Sequence, residues 1–125
     1  MIKYDYIIIG AGSSGCVLAN RLSENPTIKV LLIEAGGADN KMEISIPAGY
    51  GNLHRSNVDW GFSTEPQKQV GNRKIYLPRG KTLGGSSSTN AMAYVRGNKA
   101  DYDHWEDLGN KGWSYDQVLP YFKKS

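Results

Sequence analysis

Glycines stand at 10, 12 and 15 in the run GAGSSG, and a carboxylate, Glu34, follows nineteen residues after the last of them. That spacing suits recognition of a dinucleotide. Gly10 permits a tight turn, Gly12 lets the main chain come close to a diphosphate, and Gly15 allows a helix to pack closely on a strand. Around Ser13 and Ser14, the first helical turn has N–H groups with no intrahelical acceptor, and these attract phosphate oxygens. Glu34 is placed to accept hydrogen bonds from an adenosine ribose, and its charge disfavours a 2′-phosphate. A second glycine cluster, LGGSSSTNAM at residues 83–92, joins bare backbone to small hydroxyls. By composition alone it reads either as a linker or as a surface against which a ligand lies.

The first cluster needs a strand before it and a helix after it, and the sequence supplies both. Tyr6 to Ile9 is a short run without alternation, three of its four residues β-branched, the pattern of a strand buried on both faces. From Ser13 to Glu24 the pattern turns helical, with Ala11, Gly15, Leu18 and Leu22 as one apolar edge, and Asn25-Pro26 stops it. Val30 to Ile33 is a second buried strand, ending at Glu34. Cys16 is expected to pack as a small apolar residue. This strand–turn–helix–strand–acid order predicts an α/β dinucleotide site, but it does not choose between NAD and FAD, which share the same ADP half.

Residues 36–57 show no periodicity and read as a long surface arm with one short helical turn. WGFSTEP and RKIYLPRG are extended, Pro-punctuated segments suited to pair as a hairpin, with Trp60 expected in packing rather than in ligand contact. Two motifs fail near the second cluster. A P-loop ending at GKT would need glycine where Ile75 stands, and a nucleophile elbow would need glycine where Ser88 stands. Serine nucleophile chemistry is thus unsupported. Two helices are expected at the C-terminal end. Tyr102, Trp105 and Leu108 share a face of the first, with Asp101, Asp103, Glu106 and Asp107 solvated, and Gly109 ends it. Ser114 and Gln117 form a capping box for the second, which presents Val118, Leu119, Tyr121 and Phe122.

The totals restrict the remaining functions. A chain of 125 residues suits one domain, and a net charge of +3 with scattered basic residues argues against a nucleic-acid surface. His54 and His104 are far apart and Cys16 is the only cysteine, so no metal site is expected. No secretory leader is visible at MIKYDYIIIG and no apolar stretch approaches membrane-spanning length, so a cytoplasmic protein without a membrane span is expected.

Taken together, DYIIIGAGSSGCVLANRLSE, VLLIEAGG and GKTLGGSSSTNAMAYVRGNKADYDHW resemble the N-terminal region of the glucose–methanol–choline (GMC) family of FAD-dependent oxidoreductases, of the choline and alcohol dehydrogenase kind. The resemblance runs from Asp5 to Ser125. It implies an incomplete, Rossmann-like βαβ half of an FAD-binding domain, with a long arm, a second glycine-rich cofactor loop and C-terminal helices. It places Leu83, Gly84, Gly85 and Ser86 beside the diphosphate and ribityl chain, and Asn90, Ala91, Met92 and Ala93 along the isoalloxazine ring. Thr89 stands where members with covalent flavin carry histidine, which implies non-covalent FAD.

The resemblance also implies oxidation of a small-molecule alcohol by hydride transfer to flavin. The remaining strands, the alcohol-deprotonating histidine and its partner are then expected later in a longer chain. Residues 1–125 would be the N-terminal portion of the FAD domain, inactive by themselves. An NAD-dependent dehydrogenase domain, a truncated product without catalysis and an adenine-nucleotide-binding module are the rival readings.

Overall fold

A computed structural model describes residues 2–124. They divide into two compact units, one ending at Met92 and the other beginning at Ala93.

The first unit is built on β1 (Tyr6–Ile9), α1 (Ser13–Leu22) and β2 (Val30–Ile33). The two strands pair in parallel, Tyr6 opposite Val30 through Ile9 opposite Ile33, with α1 as the crossover. Both strand ranges are those expected. The helix ends two residues before the expected Glu24, where Ser23 and Glu24 fold back onto the carbonyls of Ala19 and Arg21.

Burial departs from the sequence reading. Ile7 and Ile9 are exposed, because α1 covers only one face of the two-stranded sheet. The inner edge of α1 is Gly15, with Ala19 and Leu22 half-buried, whereas Leu18 lies outside it. Cys16 is also exposed, with its thiol donating to the Ala11 carbonyl at 3.2 Å. On so short a helix, the close approach of Gly15 to the strand fixes the rotation. Residues three positions away then swing off the contact.

The arm is not a loose surface segment. It holds α2 (Met42–Ser45) and a 3₁₀ segment, Pro47–Leu53, that delivers Leu53 into the core at 1% exposure beside buried Val58. Gly49 makes this packing possible, since a Cβ there would lie 2.9 Å from the Glu43 main chain. The expected hairpin forms from β3 (Phe62–Ser63) and β4 (Tyr76–Leu77), paired antiparallel with Phe62 opposite Leu77. The last element of this unit is α3 (Ser86–Thr89).

In the second unit, α4 (Lys99–Asp107) and α5 (Tyr115–Phe122) pack through rings. Tyr102 meets Trp105 and Phe122 edge-on, with centroids 5.2 and 5.7 Å away. Asn98 caps α4 by accepting the Ala100 N–H at 3.0 Å, Gly109 ends it at φ +99°, and Gln117 reaches back to the Ser114 N–H as expected. Asp103 departs from its expected solvated role. It accepts the Tyr115 N–H at 3.0 Å, and Lys99 bridges it to Asp116.

Candidate cofactor site

The strand ladder runs one step past β1, where the Gly10 N–H donates to the Ile33 carbonyl at 2.7 Å. At φ +97° Gly10 then turns the chain sharply, a conformation open to glycine without strain. A Cβ on Gly15 would come within 1.9 Å of the Gly10 carbonyl oxygen, so the helix can enter this close to the turn only with glycine there. At Gly10 and Gly12 themselves an added Cβ would meet nothing within 4 Å, so the bare backbone faces an open crevice. Gly12 is the N-cap of α1 and no side chain caps it. The first-turn amides, including those of exposed Ser13 and Ser14, keep their donor capacity for a ligand.

Glu34 does more than the sequence suggested. Its Oε1 accepts the Gly36 N–H and its Oε2 the Ala11 N–H, each at 2.8 Å. These two bonds, the Gly36 one larger, hold the carboxyl below the usual carboxylate range against the opposing effect of partial burial. The carboxylate therefore braces the glycine turn against the end of β2. Each oxygen retains a further acceptor site for a ligand hydroxyl.

The second glycine cluster is fastened directly onto the first. Thr82, fully buried, donates its hydroxyl to the Gly37 carbonyl at 3.0 Å, and the Leu83 N–H donates to the same carbonyl at 2.9 Å. Next, the Gly84 N–H donates to the Ala11 carbonyl at 2.7 Å, inside the first turn. Gly84 and Gly85 have φ of +83° and +54°, and a Cβ on Gly85 would lie 3.1 Å from the Gly12 Cα. The run 83–92 is therefore a docked loop rather than a tether.

Between the turns lies a crevice of about 630 Å³, within the range of small-ligand sites. Gly10, Gly12 and Glu34 line one side, Gly85 and Ser86 the other. Trp60 and Phe62 add a wall, their rings 10° from parallel with centroids 5.6 Å apart and the Lys81 ammonium 4.8 Å from the Trp60 ring centre. Trp60 is thus a crevice residue, 44% exposed and outside the core, although it packs on Phe62. It stands two residues before β3, where its ring stacks on Phe62. Asn90 and Ala91 instead line a second cavity of about 290 Å³, with Thr89, Tyr50 and His54. The Asn90 side chain also accepts the Met92 N–H at 2.6 Å and holds Met92 at φ +56°. Ala93 opens the second unit.

Sequence reasoning missed the group that positions the hairpin. Asp59 accepts the Arg55 N–H at 2.7 Å, the Arg79 N–H at 3.0 Å and the Tyr76 hydroxyl. Partial burial pushes Asp59 up, but the Tyr76 hydroxyl and the N–H groups of Arg79, Arg55 and Gly61 outweigh it and hold the carboxyl far below its usual range. No motif signals this, because its members meet only once the hairpin has closed.

The sequence profile of the GMC oxidoreductases matches residues 4–125. This chain belongs to the GMC oxidoreductase family. It is 50% identical over 98% of its length to an oxygen-dependent choline dehydrogenase of Vibrio vulnificus, and 51% identical over 97% to an alcohol dehydrogenase [acceptor] of Pseudomonas putida. The crystal structure of pyridoxine 4-oxidase from Mesorbium loti superposes over 96% of the chain with a TM-score of 0.89 at 41% identity. Formate oxidase does so over 94%, with a TM-score of 0.85 at 40% identity. The chain spans 22% of the length of the two enzymes aligned by sequence, and 24% and 21% of the two structures. The GMC assignment and the FAD-dependent neighbours indicate FAD as the cofactor. The crevice fits it: open backbone at Gly10 and Gly12 for a diphosphate, and an ionised Glu34 for a ribose.

Proposed function

We propose that this chain is the N-terminal portion of the FAD-binding domain of a longer cytoplasmic oxidoreductase that oxidises the CH–OH group of a small alcohol. The observation that carries this reading is the clasp between the two glycine turns, Gly84 N–H to Ala11 carbonyl at 2.7 Å, which makes one crevice from two separated motifs. Gly10, Gly12 and the first-turn amides of Ser13, Ser14 and Gly15 would hold the diphosphate from one side, and Leu83, Gly84, Gly85 and Ser86 from the other. Glu34 would take the adenosine ribose. Asn90, Ala91, Met92 and Ala93 would lie along the isoalloxazine.

Bound FAD supplies the hydride acceptor for alcohol oxidation. The residues of this chain bind and orient; none of them is assigned the proton transfer. Choline, named for the Vibrio vulnificus relative, marks the substrate class as a small alcohol. Among the described residues no helix is long and apolar enough to cross a membrane. Thr89, 8% exposed at the end of α3, presents a hydroxyl where a covalent link would need an imidazole, so the FAD is held without a covalent bond.

The full-length protein tests this in two readings. Acid precipitation should release all the flavin absorbance into the supernatant, and anaerobic addition of a small alcohol should bleach the flavin band. Flavin that stays in the pellet overturns non-covalent binding. A bound flavin that no small alcohol bleaches overturns the reaction class.

A further inference from the structure

The crevice between the glycine turns and the smaller cavity beside Asn90 share two lining residues, Arg79 and Ser86. Arg79 is the one arginine or lysine among the residues that line either cavity. Its main chain is fixed from both sides: its N–H donates to Asp59 Oδ1 at 3.0 Å, and its carbonyl accepts the Trp60 N–H at 2.9 Å. The next residue is fixed as well, Gly80 N–H donating to Ser86 Oγ at 3.1 Å. The guanidinium, by contrast, has a single bond among the described residues, from Nη1 to the Pro78 carbonyl at 2.7 Å, which leaves most of its donors for a ligand. Lys81, the nearest other cation in sequence, keeps its ammonium over the Trp60 ring.

Resting on the FAD reading above, we infer that Arg79 is a diphosphate-binding residue at the junction of the two cavities, so that the cofactor extends through both. The adenosine end then occupies the Glu34 side, and the other end enters the cavity walled by Tyr50 and His54. Two charges on a diphosphate favour a partner of opposite sign at the midpoint of the ligand, and a guanidinium offers paired donors to phosphate oxygens. Main-chain glycines alone supply donors without net charge, so Arg79 adds what they lack. The Asp59 carboxylate grips the Arg79 main chain and makes no ion pair with its guanidinium.

The test uses full-length apoprotein, with FAD, ADP and adenosine titrated by calorimetry against wild type, Arg79→Gln and Arg79→Lys. A charge-assisted contact to phosphate predicts about a tenfold weaker Kd for FAD and for ADP in Arg79→Gln. Adenosine binding should be unchanged and Arg79→Lys should recover part of the loss. Equal weakening of adenosine, or a misfolded Arg79→Gln with Arg79→Lys equally impaired, assigns Arg79 to structure and overturns the inference. Unchanged FAD affinity in Arg79→Gln overturns it too, while leaving the FAD reading standing. Failure of the wild type to bind FAD ends both.

Discussion

Gly85 is the residue on which the two turns meet. Its φ of +54° is costly for a side-chain-bearing residue, and a Cβ would press on the Gly12 Cα at 3.1 Å. Gly85→Ala is expected to destabilise the first unit by about 1–3 kcal/mol from the backbone conformation and to weaken FAD binding by widening the crevice. Urea unfolding and FAD titration of the variant check both effects. Gly36→Ala should be worse, because its Cβ would lie 2.1 Å from the Lys81 main chain and would separate the second loop from the end of β2. The glycines at 10, 12 and 15 were legible in the sequence because each answers a local need. The needs of Gly36 and Gly85 arise across tens of residues, from backbones that meet only in the folded chain. Glu34 was half legible: its place at the end of β2 marked it, but its bonds to Ala11 and Gly36 were not visible in spacing. Glu34→Gln replaces one acceptor with a donor facing a main-chain N–H, so weaker binding of both FAD and ADP is expected by calorimetry.

At the scale of elements, Asp59 fastens the hairpin of β3 and β4 to the turn at Arg55 and to Arg79. Its folded-state pKa is depressed, so its contribution to stability is present above its ordinary value of about 3.9 and is lost as pH falls below it. Wild type and Asp59→Asn should differ in urea midpoint at neutral pH, and the difference should shrink as the pH is lowered below about 4. A difference that persists undiminished well below pH 4 would contradict the carboxylate's role. β1, β2, both terminal helices and the hairpin were readable because their patterns are local: a β-branched run, a helical stripe, a capping pair, extended segments bounded by proline and glycine. The arm was not. Leu53 is fully buried, yet no periodicity surrounds it, and the 3₁₀ segment that carries it packs on α2 through Gly49 and Glu43. The rotation of α1 was misread for a related reason. Gly15 sets it through a contact with Gly10, and the stripe containing Leu18 gave way.

Across the whole molecule, the family was legible because two motifs 70 residues apart fit one ligand, Gly15 from the first and Gly85 from the second. Neither motif selects FAD by itself; their order and their meeting do. Ile7 and Ile9, by contrast, show that reading a strand as buried on both faces takes in partners that the two-stranded sheet does not supply. The central claim is that a single FAD lies between the first and second glycine turns. A crystal structure of the full-length protein with FAD tests it most directly. Diphosphate oxygens within hydrogen-bonding distance of first-turn main-chain N–H groups and of the Ser86 N–H in the second turn, with the ribose at Glu34, is the expected result. FAD seated elsewhere, or touching one turn while Gly84 and Gly85 face away from it, would contradict the claim.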